Sequence, residues 1–238
     1  MRISFSFIIL LFVATACSNN RISTPELKFD GLKGNVSGCK DYSYDAEERF
    51  GEIVPGDLDG VVIYEYDNDG HQIKLGIYDD DGEYIFKQEK VFEKALVVSS
   101  TTMTRVNDKK TKKTVVERKK NYIKWRADDE TTMETFYDKN SCLTKDENGD
   151  IIEEYVFDNK GRPLEEKAYY KGELSYRRQN EYDKNGLLIR SKTYYSSNNT
   201  EVLTYKYPEF DKKGNWIVQY VYEDGEIEYI VKRDIIYR

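Results

Sequence analysis

The amino-acid sequence predicts an all-β protein: an antiparallel meander of repeated β-hairpins forming a curved or rolled sheet rather than a two-sheet sandwich. Three observations carry that reading. Apolar and aromatic residues alternate with polar ones at period two, as at Ile151, Tyr155 and Phe157, which sets them on one face of a strand. An aromatic-Asp-x-x-Gly unit recurs at Tyr66–Gly70, Phe157–Gly161, Tyr182–Gly186 and Phe210–Gly214. Tyrosine is over-used, 21 of 238 residues against only 4 Pro; its ring suits a pleated, half-buried surface and its hydroxyl can stay wet. High charge with few leucines is a composition that otherwise points to disorder, and the tyrosines and regular turns argue against it.

The turn unit has a local mechanism. Asp at its first position accepts hydrogen bonds from backbone N–H groups further along, the middle residues suit a type I turn, and Gly takes the left-handed position of a bulge. Such a turn closes a hairpin and sets its register. Gly161 and Gly186 are twenty-five residues apart and Gly186 and Gly214 twenty-eight. Each unit is therefore one hairpin, and successive hairpins bury their faces on one another.

Arg2 supplies a short positive segment, Ile3 to Val13 is mostly apolar, and small residues Ala14-Thr15-Ala16 precede Cys17. This is the layout of a secretory signal, too short to remain as a spanning helix. Ala14-Thr15-Ala16-Cys17 resembles the lipobox of bacterial lipoproteins, with Ala14 where Leu is usual. The resemblance implies that residues 1–16 are a signal peptide, that Cys17 is acylated, and that the lipid attaches the chain to a membrane. Ser18 beside that cysteine resembles the sorting context for the outer membrane. No acidic cluster of the kind that directs some lipoproteins to the surface follows. The expected location is the outer membrane, facing the periplasm, with the cell surface as the alternative. Residues 17–26 read as a tether and 27–238 as a single β domain.

Along that domain, a first strand is expected over Gly34–Tyr44, and Asp45–Gly60, with its Gly and Pro residues, reads as a large loop. Regular strands begin at Val61. Arg105 to Arg126 concentrates Lys and Arg and reads as a long basic hairpin whose charge keeps an edge from pairing with other chains. From Tyr155 onward, Phe157-Asp158-Asn159-Lys160-Gly161-Arg162-Pro163-Leu164 is similar to the YD repeat of RHS-type bacterial proteins. Tyr182-Asp183-Lys184-Asn185-Gly186-Leu187-Leu188 matches it without the Arg. The whole chain resembles the small YD-repeat lipoproteins common in Bacteroidota, which implies a hairpin array and no particular activity.

Function classes narrow by exclusion. A formal charge of −7, one unit more acidic once Arg2 leaves, makes a poor binder of nucleic acid. His71 is the only histidine; following a turn glycine, it reads as a surface strand residue, and no triad or metal-ligand spacing forms around it. Asp67-Asn68-Asp69-Gly70 has Gly76 where a calcium loop needs its Glu, and Asp79-Asp80-Asp81-Gly82 has Ile77 where the first ligand belongs. No catalytic residue, cofactor or metal is therefore expected. Cys39 and Cys142 are candidates for a disulfide, since an oxidising compartment permits one. The aromatic stripe Tyr205, Tyr207, Trp216, Tyr220 and Tyr222 is a candidate platform for a glycan or protein ligand, weighed against a purely structural role in cross-strand pairs. The reading is a non-enzymatic envelope lipoprotein that binds or scaffolds such a partner through its Tyr-rich sheet. The alternative is a hydrolase acting on envelope polymers through acidic residues.

Overall fold

The computed structural model describes residues 31–94, 96–105, 109–138, 141–146 and 149–238. The signal peptide, the tether and Cys17 lie outside them. The first eight strands are β1 (Val36–Arg49), β2 (Glu52–Tyr66), β3 (Gln72–Asp79), β4 (Tyr84–Glu93), β5 (Leu96–Thr104), β6 (Lys109–Lys119), β7 (Tyr122–Ala127) and β8 (Thr132–Tyr137). The second eight are β9 (Ser141–Asp146), β10 (Ile151–Phe157), β11 (Pro163–Tyr170), β12 (Glu173–Tyr182), β13 (Leu188–Tyr195), β14 (Thr200–Phe210), β15 (Trp216–Glu223) and β16 (Glu226–Tyr237).

Each strand pairs antiparallel with its sequence neighbours, and β1 pairs with β16, so the meander closes into a barrel. The expectation of hairpins is met and that of an open curved or rolled sheet is corrected. Closure removes the two exposed edges an open sheet would leave.

The turns form as their chemistry dictates. In the four aromatic-Asp-x-x-Gly units the Asp N–H donates to the carbonyl four residues on, and the Gly N–H donates back to the Asp carbonyl. Gly70, Gly161, Gly186 and Gly214 all have φ between 80° and 97°, the left-handed region in which a Cβ is strained. Because these units join β2–β3, β10–β11, β12–β13 and β14–β15, all four lie at one end of the barrel. The same end carries the start of β1 and the finish of β16, where Val36 pairs with Tyr237. It is called the terminal end below, and the other the distal end.

Two boundaries differ from the sequence reading. Asp45–Gly60 is not a loop: β1 and β2 stay paired out to Arg49 and Glu52. In the basic stretch, the sequence places a turn at Asn107–Lys113 between its two arms, but β6 already begins at Lys109, so those lysines are strand.

Period-two alternation sorts the wall into two faces. Inward residues gather in three apolar clusters. One holds Val97, Ile123, Trp125, Tyr137, Tyr155 and Phe157. A second holds Val36, Cys39, Tyr64, Tyr66, Leu75 and Phe86. The third holds Leu203, Tyr205, Val221, Tyr229 and Val231. The outward face is charged and laced across strands: Lys74–Glu65 at 3.1 Å, Lys167–Glu165 at 2.9 Å, Arg190–Glu181 at 3.1 Å and Lys145–Glu134 at 3.5 Å. Lysine heads also sit over outward tyrosine rings, Lys206 over Tyr222 at 4.3 Å and Lys192 over Tyr194 at 4.6 Å. Between these ion pairs and cation–π pairs the wall also exposes large apolar side chains, among them Val91, Val116, Phe136, Val156, Leu174 and Ile189.

Candidate ligand site inside the barrel

The inward face of β10–β14 departs from an apolar core. Register places Tyr155 opposite Glu166, Glu166 opposite Arg178, and Arg178 opposite Thr193, a polar row running around the inner wall. Arg178 and Glu166 are nearly sealed from solvent, with side chains 2 % and 10 % exposed. Arg178 donates through Nη1 to Glu166 Oε2 at 3.2 Å and through Nε to Thr193 Oγ1 at 3.2 Å. The other oxygen of Glu166 accepts from Tyr155 at 3.3 Å and Tyr176 at 2.5 Å. A buried carboxylate survives because a cation and two hydroxyls replace its water.

That arrangement shifts its neighbours. Burial pushes both the Tyr155 and Tyr176 hydroxyls well above the usual phenol range, and the negative charge of Glu166 adds to it. Burial, then Glu166, also raises Glu153, against the opposing pull of Lys113. Lys113 in turn is lowered by burial. Closer to the distal end, Tyr195 donates to Glu201 at 3.2 Å, and Glu223 is raised by burial and by Glu201.

Beside this row lie polar atoms with no partner among the described residues: Asn180 Oδ1, Ser191 Oγ and the Tyr205 hydroxyl. They are neighbours. Asn180 faces Ser191 across β12–β13, and Ser191 faces Leu203, two residues from Tyr205, across β13–β14. Ser191 is 2 % and Tyr205 8 % exposed. The amide of Asn180 is oriented by donating to the Pro163 carbonyl at 3.1 Å, which leaves its acceptor oxygen unused. Leaving such atoms buried and unsatisfied costs about 1–3 kcal/mol each. Together they form a buried cluster of unused donors and acceptors beside the Arg178–Glu166 pair.

The aromatic platform is split. Tyr205, Tyr207 and Trp216 pack inward in one cluster, with Tyr207 donating to the Leu188 carbonyl at 2.8 Å. Tyr220 pairs with Lys206 on the outer face, and Tyr222 lies there under the Lys206 ammonium. Irregularities in the β14–β15 register between Lys206 and Phe210 break the period-two count, so Trp216 and Tyr220 do not share a side.

Trp216 is itself covered by the Arg233 guanidinium at 3.6 Å. Arg233 makes a two-pronged pair with Asp41 at 2.6 and 2.5 Å. Cys39 and Cys142 are not joined. They stand on β1 and β9, eight strands apart either way round the ring, and Cys39 takes no part in a disulfide.

His71 is not a surface residue. It is 2 % exposed and stacks on Phe92 with ring centres 4.7 Å apart. Asp67, Asp69 and His71 bring one ligand atom each within 4.8 Å of one another. Their geometry is that of the turn itself. Asp67 Oδ1 accepts from the N–H groups of Asp69 and His71, and Oδ2 lies 3.1 Å from His71 Nδ1. Asp158 repeats that scheme with Lys160 and Arg162, where cationic residues stand in place of Asp69 and His71.

The sequence reading passed over Glu166, Arg178, Asn180 and Ser191. The signal was there in phase: Tyr176, Arg178, Asn180 and Tyr182 share one parity, so the charge falls in the register of the buried rings.

No family model matches the chain, and no curated protein matches it. Solved structures that resemble it include a porin-like protein from Bacteroides vulgatus, with TM-score 0.46 and 14% identity, covering 87% of this chain and 99% of that one. A porin-like protein from Bacteroides uniformis gives TM-score 0.34 at 10% identity, covering 84% and 97% respectively. A DUF1329 family protein from Desulfovibrio piger gives 0.35 at 10%, covering 92% and 91%. The resemblance to YD-repeat proteins is corrected: no family model of such a repeat matches, and the hairpins close on themselves in a ring.

Proposed function

We propose that this chain is a non-enzymatic envelope β-barrel, held at the outer membrane by lipid on Cys17 and facing the periplasm, that binds a hydroxyl-rich ligand of the glycan class inside its barrel. The observation that carries the ligand reading is the trio Asn180, Ser191 and Tyr205, whose polar atoms are buried inside the barrel without a partner among the described residues, beside the Arg178–Glu166 pair. Tyrosine rings flanked by amide, hydroxyl and carboxylate groups are the chemistry that holds sugars, ring against ring edge with polar heads fixing orientation. Hydrolysis draws less support, because both Glu166 oxygens are already engaged, leaving Glu153 without an unengaged carboxylate next to it.

Removing an unsatisfied buried hydroxyl separates binding from folding. Tyr205→Phe should leave stability unchanged or higher by about 1 kcal/mol, while weakening binding of envelope oligosaccharides about tenfold. Tryptophan fluorescence titration of the Cys17→Ser full chain measures the second, and urea unfolding the first. Equal oligosaccharide affinity in the two proteins would remove the lumen as the site. Loss of metabolic acyl labelling in Cys17→Ser tests the anchor separately.

A further inference from the structure

The β1–β2 hairpin outreaches the barrel. At the distal end β16 accompanies β1 only to Asp45, and β3 accompanies β2 only to Gly60. Ala46 to Asp59 therefore projects as a two-stranded arm with both outer edges unpaired. Arm edges of this kind invite strand addition, and Pro55 with the acidic side chains guards against it.

The tip of the arm is unusual in two respects. Arg49 pairs with Glu52, so Phe50 and Gly51 are the central residues of a two-residue turn, with φ of +57° and +81°. That is the hairpin turn in which Asn-Gly is favoured and a bulky L-residue at the first position is strained. Phe50 is also fully exposed, at 107%. An aromatic ring is thus held in an unfavourable backbone position at the tip of the arm, with none of the described residues covering it.

Charge identifies what would. Asp45, Glu47, Glu48, Glu52, Asp57 and Asp59 lie along the arm and its base against a single cation, Arg49, which is itself turned onto Glu47 at 2.6 Å. The repulsion is felt within the fold: burial, Asp45 and Asp80 together raise the Asp59 carboxyl. Anionic lipid headgroups would repel such an arm, and the arm stands at the end opposite the one where the chain enters β1.

We propose that the β1–β2 arm is a docking element for a partner protein whose contact face is an apolar socket, filled by Phe50, ringed by Lys and Arg. A buried aromatic anchor within a charged rim is how a small contact area reaches useful affinity, and complementary charge speeds its encounter. This inference does not depend on the lumen ligand.

The test uses the full-length chain in its own cells, with the photoreactive amino acid p-benzoylphenylalanine at Phe50. After irradiation the adduct is mapped by mass spectrometry. The expected result is a cross-link to one envelope protein at a Lys/Arg-rich surface, reduced about tenfold by the exposed-site changes Glu48→Lys with Glu52→Lys or by added salt. Adducts to lipid, adducts to a second copy of the chain, absence of a protein adduct, or a yield indifferent to charge reversal would each overturn it.

Discussion

Asp158 shows how much one side chain does at a hairpin end. Its Oδ1 accepts from the N–H groups of Lys160 at 2.8 Å and Arg162 at 2.9 Å, and its Oδ2 from the Arg162 guanidinium at 2.7 Å. Burial by itself raises the carboxyl, but those hydrogen bonds outweigh it and hold the pKa below the ordinary 3.8. A depressed folded-state pKa means stability that is present above the unfolded value and lost as pH falls through the folded one. Asp158→Asn keeps one acceptor and loses the ion pair, so at pH 7 it should unfold about 1–2 kcal/mol more easily. Urea melts should show that gap narrow as pH falls below the ordinary 3.8 and through the depressed folded-state pKa, where the wild-type carboxylate takes up its proton; a gap unchanged at low pH would remove the carboxylate charge as its source. This turn was legible in the sequence because every partner lies within four residues. His71 was not. Its burial comes from Phe92, two strands on, and no local pattern reports that.

At the scale of elements, the arm is where sequence and structure part most. Gly51, Pro55, Gly56 and Gly60 interrupt period-two alternation, and a stretch without it reads as loop. The structure makes strand of the stretch, pairing Gly60 with Ser43 and Pro55 with Ala46, with shifts at Ser43/Tyr44 and Tyr44/Ala46, and each shift reverses the faces that a simple count would assign. The same physics split the aromatic stripe at β14–β15. Strands free of irregularities, such as β10 from Ile151 to Val156, were read with their inward residue Tyr155 on the correct face. The arm also carries a prediction. Phe50→Asn puts a residue tolerant of positive φ at the first turn position, so the variant should be about 1 kcal/mol more stable to urea. Loss of stability would mean that Phe50 has an intramolecular role its exposure does not reveal. A gain is what a tip shaped for a partner rather than for folding should give.

At the scale of the molecule, the class of fold was legible and its closure was not. Alternation and turns specify hairpins one after another. Whether the last meets the first depends on twist and stagger accumulated over all the strands, and no short segment encodes it. The seam is made by residues distant in sequence: Arg233 meets Asp41 across a separation of 192 residues, and Arg238 reaches the Tyr66 carbonyl at 2.5 Å. Inside the seam the Asp41 and Arg233 side chains are 11 % and 10 % exposed. Burial lowers the Arg233 pKa and the Asp41 carboxylate more than restores it, so the guanidinium stays charged. Arg233→Met leaves a buried carboxylate alone beside the apolar ring of Trp216 and should cost about 3–5 kcal/mol. Adding Asp41→Leu removes the stranded charge and should recover most of that loss, since a buried pair replaced by apolar groups is often near neutral. Urea unfolding of the two single variants and the double variant measures the coupling. If the double variant is as unstable as Arg233→Met alone, the seam is held by the surrounding strand pairing, and the ion pair only occupies it.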